Sequence, residues 1–297
     1  MMKIRISTES LAGSNEHLLW SGALYGLKRL QQLGHQIFFI ADELTKQRKK
    51  LIENELIKIS TSAPDEIDLQ IITENGSLSA INSDGSEIEN AEDWIELSDK
   101  ICFPTRTASQ KRKTSETDIE IDLNLDGTGK AEINTGLGFL DHMLEQIAKH
   151  GLIDLHISCN GDLEVDEHHT IEDVAITLGE TVKAALGNKI GIDRYGFTLP
   201  MDESLAEVAI DFSGRPYLQF EGSFTRDKVG DFPTEMVEHF FYSFAINAQA
   251  TLHLNVTGDN DHHKIEACFK GFARCLRAAV SRSERNINVL PSTKDLL

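Results

Sequence analysis

Two segments of the sequence repeat one set of potential metal ligands, an adjacent pair of histidines with a glutamate four residues after the first. Each segment is preceded by a further histidine, 26 residues before the first pair and 23 residues before the second. Six imidazoles and two carboxylates are enough for two sites of three histidines and one glutamate, each with positions left for water or substrate. The eight candidate ligands are His142, His168, His169, Glu172, His239, His262, His263 and Glu266.

The spacing within each motif decides which ligands can share an ion. His168 and Glu172 are four residues apart, so on a helix they lie on one face and could reach the same ion. His169 is rotated by about 100° from His168 on an α-helix, so the two adjacent histidines suit two different ions. Nitrogen and carboxylate ligands without thiolates suit Mn²⁺, Fe²⁺ or Zn²⁺, and sites with vacant positions favour manganese. The duplicated pattern therefore predicts a centre for two metal ions.

The ligands fall at equivalent places in a repeated order of elements. The first copy is predicted as strand, strand, helix, strand and helix, at 119–125, 130–134, 137–149, 152–158 and 170–186. The second copy has the same order, at 207–212, 216–222, 235–248, 251–257 and 264–282. The turn at Asp126-Gly127 would join the first two strands as a hairpin. The predicted fold is α+β, an internal duplication of a β-β-α-β-α unit with helices on one face of each sheet and halves at about 116–190 and 203–285.

The first third of the chain has a different character. Only two of the eleven histidines precede residue 108. The polar, basic stretch at 105–117 indicates a linker or an edge segment, so we place the domain boundary near residue 107, between domains 1–107 and 108–297. The first domain is predicted as a small α/β unit, with strands and helices at Lys3–Ser7, 20–33, Gln36–Ala41 and about 43–59.

Composition narrows the class of protein. The 297 residues carry a net charge of −19, which argues against a general affinity for nucleic acid or anionic membranes. We expect no membrane span and no signal peptide, because the sequence has no long apolar run and no apolar segment near its start. The four cysteines form no CxxC pair and are expected to be reduced thiols of a cytoplasmic enzyme: Cys102, Cys159, Cys268 and Cys275.

From about Arg112 to Leu297 the sequence resembles the imidazoleglycerol-phosphate dehydratases of histidine biosynthesis. The motifs that carry the resemblance are R-x-T-x-E-T at 112–117, NLDGTG at 124–129, GFLDHML, HHTIED, SGRPY, VEHFF, TLH, GDNDHHKIEACFK and PSTK at 291–294. The resemblance implies conversion of D-erythro-1-(imidazol-4-yl)glycerol 3-phosphate to 3-(imidazol-4-yl)-2-oxopropyl phosphate and water. It also implies two Mn²⁺ ions per active site and a 24-subunit assembly whose active sites lie between subunits.

The resemblance also assigns roles to residues. The family's metal ligands correspond to the same eight residues that the repeat provides. Our own candidates for acid–base catalysis are Glu116, Glu172 and Glu266, and Glu116 also corresponds to a substrate contact of the family. Its other substrate contacts correspond to Arg194, Arg215, Ser292 and Lys294. Guanidinium groups pair with two phosphate oxygens at once and lysine adds a point charge, so this second set is suited to hold a phosphate.

The implied reaction explains why such a site is needed. The proton to be lost lies on a carbon that is not acidic, so direct elimination of water would be slow. The hypothesis is that metal ions acting as Lewis acids favour the imidazolate form of the ring, which expels the adjacent hydroxyl group. A carboxylate then removes the neighbouring C–H proton, and the enol relaxes to the ketone.

Three positions depart from the family's usual pattern. Glu167 stands where Asp is usual, Lys228 where Arg is frequent, and Asp295 where Gly is usual. Lys228 loses the bidentate geometry of a guanidinium group, and Asp295 places a negative charge beside the expected phosphate site. We expect these changes to weaken substrate binding without removing a metal ligand.

Residues 1–60 resemble in part the histidinol-phosphate phosphatases of the haloacid-dehalogenase type, to which some dehydratases are fused. That fold needs two aspartates after its first strand, for nucleophilic attack and for Mg²⁺, but this sequence has STES at Ser7–Ser10. Ala41 also replaces the expected hydroxyl residue after the second strand. We interpret 1–107 as a degenerate, non-catalytic segment. The alternatives are an enzyme that also hydrolyses histidinol phosphate, a metal-binding shell without catalysis, and an appendage for interaction or solubility.

Overall fold

The computed structural model describes residues 2–12, 19–39, 45–58, 60, 66–294 and 296–297, apart from the side chain at 198. The chain forms two compact units, Met1–Pro104 and Thr105–Leu297. Among the described residues no helix is both long and apolar enough to cross a membrane.

The first unit contains a five-stranded sheet with strand order β2-β1-β3-β4-β5. Its elements are β1 (Lys3–Ile6), α1 (Thr8–Ala12), α2 (Ala23–Gln32), β2 (Gln36–Phe39), α3 (Lys46–Asn54), β3 (Leu69–Glu74), β4 (Ser77–Asn82), β5 (Glu87–Ala91) and α4 (Trp94–Cys102). β1 pairs in parallel with β2 and β3, whereas β3, β4 and β5 form an antiparallel meander. Within the described residues, a strand or helix lies in each range predicted over the first 59 residues, and the first strand and the first predicted helix are shorter than predicted. The other two predicted ranges end or begin in residues 40–44 and 59, which lie outside the described residues.

The meander and α4 were not predicted from the sequence. Asn75 and Gly76 both have positive φ angles and connect β3 to β4. An Asn-Gly pair between two apolar runs is a strong hairpin signal, so this part of the sheet could have been recognised. Asp93 caps α4 by accepting a hydrogen bond from the backbone N–H of Glu96.

The second unit contains two four-stranded sheets of equivalent order, β6-β7-β9-β8 and β10-β11-β15-β12. The elements of the first half are β6 (Thr107–Lys113), β7 (Thr117–Asn124), β8 (Ala131–Asn134), α5 (Gly138–Gly151), β9 (Asp154–Gly161) and α6 (His168–Leu186). Those of the second half are β10 (Tyr195–Met201), β11 (Ser204–Asp211), β12 (Tyr217–Glu221), β13 (Lys228–Val229), β14 (Phe232–Pro233), α7 (Met236–Asn247), β15 (Thr251–Thr257) and α8 (Asp261–Val280). The predicted α+β class is confirmed, and each half has one further strand, β6 or β10, before the predicted unit.

The predicted hairpin between the first two strands of the repeat is wrong. β8 lies at the edge of the sheet and pairs in parallel with β9, which separates it from β7. The turn after β7 runs across the beginning of β9, where the Oδ1 atom of Asp154 accepts hydrogen bonds from the backbone N–H groups of Thr128, Gly129 and Lys130. Gly127 is required there, because a Cβ atom would lie 2.3 Å from the backbone nitrogen of Asp154.

One continuous core joins the two halves of this unit. Buried and exposed residues alternate along β7 and β11, so each sheet has one face toward the core. The helices of different halves pack in pairs, α6 with α7 and α5 with α8. At Gly179 of α6 a Cβ atom would lie 2.7 Å from the carbonyl oxygen of Phe244 in α7, so the two backbones are in close contact. This contact brings histidines of the two halves together.

Candidate metal centre and substrate clamp

The first centre, made of His168, Glu172 and His239, combines residues of both halves. His168 and Glu172 lie one turn apart at the start of α6, and His239 lies on the first turn of α7. The Nε2 atoms of His168 and His239 are 3.5 and 3.1 Å from the two carboxylate oxygens of Glu172. One ligand atom from each of the three residues falls within 4.8 Å of the others. The spacing predicted on one helix face is therefore observed, with the third ligand supplied by the other half.

The residues of the first centre fit a divalent metal ion. Within the described part of the chain, the Nε2 atom of His239 is buried and makes no hydrogen bond of acceptable geometry, although it faces Glu172. A buried polar atom without a hydrogen bond is costly in free energy, and a bound ion at this place would remove that cost. Two imidazoles and one carboxylate form a donor set suited to Mn²⁺, Fe²⁺ or Zn²⁺.

The second centre, made of His142, His262 and Glu266, is arranged differently. The Nε2 atom of His262 is 3.6 Å from Glu266, but the Nζ atom of Lys270 lies closer, 2.7 Å from the other carboxylate oxygen. Burial raises the pKa of Glu266, but Lys270, with His262 and His142, more than offsets this, so the pKa lies below its ordinary value. Among described residues these three ligands do not form a group within 4.8 Å. A lysine therefore holds the carboxylate that an ion would need.

The second histidine of each pair is held by a carboxylate that the sequence analysis did not single out. The Nδ1 atom of His169 is 3.1 Å from Asp162, and the Nδ1 atom of His263 is 2.9 Å from Glu203. The hydrogen bond to Asp162 raises the pKa of His169, and the hydrogen bond to Glu203 raises the pKa of His263. Glu203 could have been found from the repeat, because Glu116 and Glu203 each directly precede the second strand of their half.

Glu116 is positioned by the loop between β6 and β7. Asp173 of α6 is buried and accepts hydrogen bonds from Arg112 Nε at 2.8 Å and from Thr117 Oγ1 at 2.6 Å. These two residues flank the loop, so both of its ends are fixed to the helix. The R-x-T-x-E-T motif therefore places Glu116 beside α6. Its Oε1 atom is 3.7 Å from the Nε2 atom of His169, which is beyond hydrogen-bonding distance.

The residues that resemble the family's phosphate contacts line one cavity of 420 Å³. We call Arg194, Arg215, Ser292 and Lys294, together with this cavity, the clamp. Arg194 is fixed by Asp211, whose Oδ2 atom is 2.9 Å from Nη2, and by the carbonyl oxygen of Pro291. The hydrogen bonds that Arg194 donates to Asp211 raise the pKa of Arg194, which therefore stays charged.

The clamp and the metal ligands lie at opposite ends of the second sheet. Arg215 lies two residues before β12, which runs parallel to β15, so the clamp lies where both strands begin. His262 and His263 follow the end of β15, and the first turn of α7 lies at the same end. A strand of seven residues is about 20 Å long. One chain therefore holds its clamp about 20 Å from its own metal ligands.

Glu167 and Lys228, two of the three positions that depart from the family's usual pattern, contact each other. The Nζ atom of Lys228 lies 2.6 Å from the Oε1 atom of Glu167, and this contact raises the pKa of Lys228. Glu167 directly precedes α6, so the pair connects β13 to the start of the helix that carries the first centre. Asp295, the third position, lies outside the described residues.

Comparison with known proteins assigns this architecture to a family. A sequence model of imidazoleglycerol-phosphate dehydratase matches residues 135–276. The histidine biosynthesis bifunctional protein HisB of Spirosoma linguale is 57% identical over 205 residues, which cover 69% of this chain and 54% of the relative. The HisB protein of Stenotrophomonas maltophilia K279a is 55% identical over 205 residues, which cover 69% of this chain and 57% of the relative. The chain thus spans about half the length of the curated relatives it matches.

Solved structures cover the second unit more completely. The imidazoleglycerol-phosphate dehydratase of Staphylococcus aureus is 40% identical with a TM-score of 0.55, over 60% of this chain and 99% of that chain. The enzyme of Pyrococcus furiosus is 36% identical with a TM-score of 0.55, over 63% of this chain and 100% of that chain. These relatives confirm the resemblance found in the motifs, and the chain belongs to the imidazoleglycerol-phosphate dehydratase family.

Proposed function

We propose that this chain removes water from D-erythro-1-(imidazol-4-yl)glycerol 3-phosphate to give 3-(imidazol-4-yl)-2-oxopropyl phosphate. The observation that carries the proposal is the first centre, in which His168, Glu172 and His239 from two halves meet within 4.8 Å in a chain of a dehydratase family. The clamp supplies the second requirement, because two guanidinium groups and an ammonium group around one cavity match a phosphate.

We propose two Mn²⁺ ions per active site. His168, Glu172 and His239 would hold one ion, and His142, His262 and Glu266 would hold the other, with His169 and His263 completing the two sets. A bound ion would act as a Lewis acid that withdraws electron density from the imidazole ring of the substrate.

The protein groups then have defined tasks. The clamp would hold the phosphate and so orient the glycerol chain toward the carboxylates. Elimination of water requires a proton for the departing hydroxyl oxygen and a base for the proton on the next carbon. Glu116 is the candidate for this transfer, because its carboxylate is half-exposed and 3.7 Å from the nearest imidazole nitrogen. Glu172 and Glu266 are further candidates, although both are expected to be metal ligands.

We propose that each active site combines residues of more than one copy of the chain, as in the family's 24-subunit assembly. The substrate's phosphate and ring are separated by only three carbon atoms, whereas the clamp lies about 20 Å from the metal ligands of its own chain. A second copy is therefore needed to bring a clamp to a metal centre.

The first unit is proposed to have no phosphatase activity. The residues after β1 are Ser7, Thr8, Glu9 and Ser10, so the place of the two required aspartates is filled by other residues. Ser10 is buried and donates a hydrogen bond to the carbonyl oxygen of Ile71, which indicates a structural role. Ala41, the other relevant position, lies outside the described residues.

The direct test is turnover of the imidazole substrate by purified protein from which metal has been stripped, with and without added Mn²⁺. We expect product only when Mn²⁺ is present. Stoichiometric Mn²⁺ binding without product would contradict the proposal and favour a metal-binding shell. Release of phosphate from histidinol phosphate would instead show that the first unit is catalytic.

A further inference from the structure

The second histidine of each pair is held by a carboxylate in the same manner, although the carboxylates come from different places in the fold. Asp162 directly follows β9, whereas Glu203 is the last residue of the two-residue loop between β10 and β11. Both place two carboxylate oxygens near one Nδ1 atom, at 3.1 and 3.2 Å for His169 and at 2.9 and 3.1 Å for His263. The two halves have thus reached one arrangement with different residues.

This arrangement determines which imidazole nitrogen can bind a ligand. An ionised carboxylate only accepts hydrogen bonds, so the Nδ1 atom facing it must carry the hydrogen. In the neutral ring the Nε2 atom then carries the lone pair and is the available ligand atom. Carboxylates in this position also fix the ring plane, which a half-exposed imidazole on the first turn of a helix would otherwise not keep.

We propose that Asp162 and Glu203 are positioning residues, which fix the tautomer and orientation of His169 and His263 and thereby set the affinity for metal ions. The proposal rests on the proposed metal centre but not on turnover. Neither carboxylate needs to touch an ion or the substrate. The first histidine of each pair lacks such a partner on Nδ1 among the described residues, because its ring faces the glutamate of its own helix.

The test compares variants that remove the carboxylate with variants that keep an acceptor. Glu203→Ala and Asp162→Ala should each lower Mn²⁺ affinity by about 10- to 100-fold, measured from the electron paramagnetic resonance signal of free Mn²⁺ during titration. Glu203→Gln and Asp162→Asn keep an oxygen that can accept from Nδ1 and should recover most of the affinity. Glu221→Ala, which removes an exposed carboxylate on β12, is the matched control and should bind as the parent does.

A second readout separates positioning from a general loss of structure. Nitrogen-15 shifts of the metal-free protein, at a pH where both imidazoles are neutral, should show the Nδ1–H tautomer for His169 and His263 in the parent. Glu203→Ala should change the tautomer of His263 alone, and Asp162→Ala that of His169 alone. Unchanged tautomers, or unchanged Mn²⁺ affinity in both alanine variants, would overturn the proposal. Normal Mn²⁺ binding and tautomers in a parent protein that forms no product would contradict only the proposed function.

Discussion

The two halves of the second unit have one strand order and one set of ligands, yet their centres differ. Within the part of the chain that the structure describes, the carboxylate of Glu172 pairs with the imidazoles of His168 and His239, and the residue one turn later is Ile176. In the second half the equivalent residue is Lys270, which pairs with Glu266 at 2.7 Å. The duplicated backbone thus places one glutamate beside two imidazoles and pairs the equivalent glutamate of the other half with a lysine.

The loops before the second strands show the same divergence. In the first half, Asp173 anchors the loop, and the Oε1 atom of Glu116 lies 3.7 Å from the imidazole of His169. In the second half the position of Asp173 is taken by Ala267, and Glu203 hydrogen-bonds to His263. Under the proposals made above, equivalent carboxylates would therefore have different tasks, proton transfer for Glu116 and positioning for Glu203. Five changes test this comparison.

The largest effect is expected for Glu116→Gln. Loss of a group that transfers protons should lower kcat by about 100-fold or more, while Mn²⁺ binding stays unchanged. Glu203→Gln, at the equivalent position, should leave kcat at saturating Mn²⁺ within a few-fold of the parent. Steady-state kinetics over a range of Mn²⁺ concentrations measures both, and equal losses in kcat would show that the halves do not divide these tasks.

Glu172→Gln is expected to remove metal binding at the first centre. A residue that binds the ion directly should contribute more to Mn²⁺ affinity than a residue that hydrogen-bonds to a ligand. The affinity of the first centre should therefore fall by more than about 100-fold. Glu266→Gln should weaken the second centre less, because the parent carboxylate is already paired with Lys270. Calorimetric Mn²⁺ titration of both variants resolves the two classes of site, and identical losses would contradict the difference between the centres.

Asp173→Asn should destabilise the second unit, because Asp173 fixes the loop between β6 and β7 to α6. The change leaves Arg112 without its charged partner and weakens the hydrogen bond from Thr117, which should lower the free energy of unfolding by about 2 kcal/mol. Asp118→Asn, on the exposed face of β7, is the control and should stay within about 0.5 kcal/mol. Denaturant unfolding measures both; equal stabilities would show that Asp173 does not anchor the loop.

Lys270→Met should make the second centre resemble the first. Removal of the competing ammonium group frees Glu266, so the affinity for Mn²⁺ measured without substrate should rise. An ion pair of about 1 kcal/mol corresponds to a rise of about fivefold. Ile176→Met makes the matching change in the first half and should have no effect on affinity. A fall in affinity on Lys270→Met would mean that the lysine supports the centre rather than competing with it.

The smallest effect is a pH-dependent one at the turn after β7. Burial raises the pKa of Asp154, but the backbone N–H groups of Lys130, Thr128 and Gly129 outweigh it, so the pKa lies below its ordinary value. A lowered pKa adds stability above about pH 4 that is lost as the pH falls through the folded-state pKa. Asp154→Asn should therefore cost about 1 kcal/mol at pH 7 and nothing in strong acid.

The second half supplies the control for this pH effect. Thr251 occupies the position of Asp154, and its hydroxyl donates a hydrogen bond to the carbonyl oxygen of Arg215. Thr251→Val should therefore lower stability equally at pH 7 and at low pH. Urea unfolding at several pH values distinguishes the two, and a pH-independent difference for Asp154→Asn would contradict the assigned role.

The sequence was sufficient for features that depend on local pattern. The spacing of His168 and Glu172 predicts one helix face, and the structure shows both on the first turns of α6. It was not sufficient where distant segments meet. The contact of His239 with Glu172 depends on how α6 packs against α7, and the position of β8 depends on Asp154, 20 or more residues away in sequence. Glu203 was missed because a lone loop glutamate has no local signal without the repeat's alignment.

We propose that a clamp and a metal centre from different copies meet to form one active site. The decisive experiment mixes two inactive variants, Glu172→Gln with an intact clamp and Arg215→Ala with intact metal ligands, and reassembles them with Mn²⁺. Some sites in the mixture should combine an intact clamp with intact metal ligands. We therefore expect dehydration activity well above that of either variant alone. A reassembled mixture no more active than its separate components would show that each chain completes its own site.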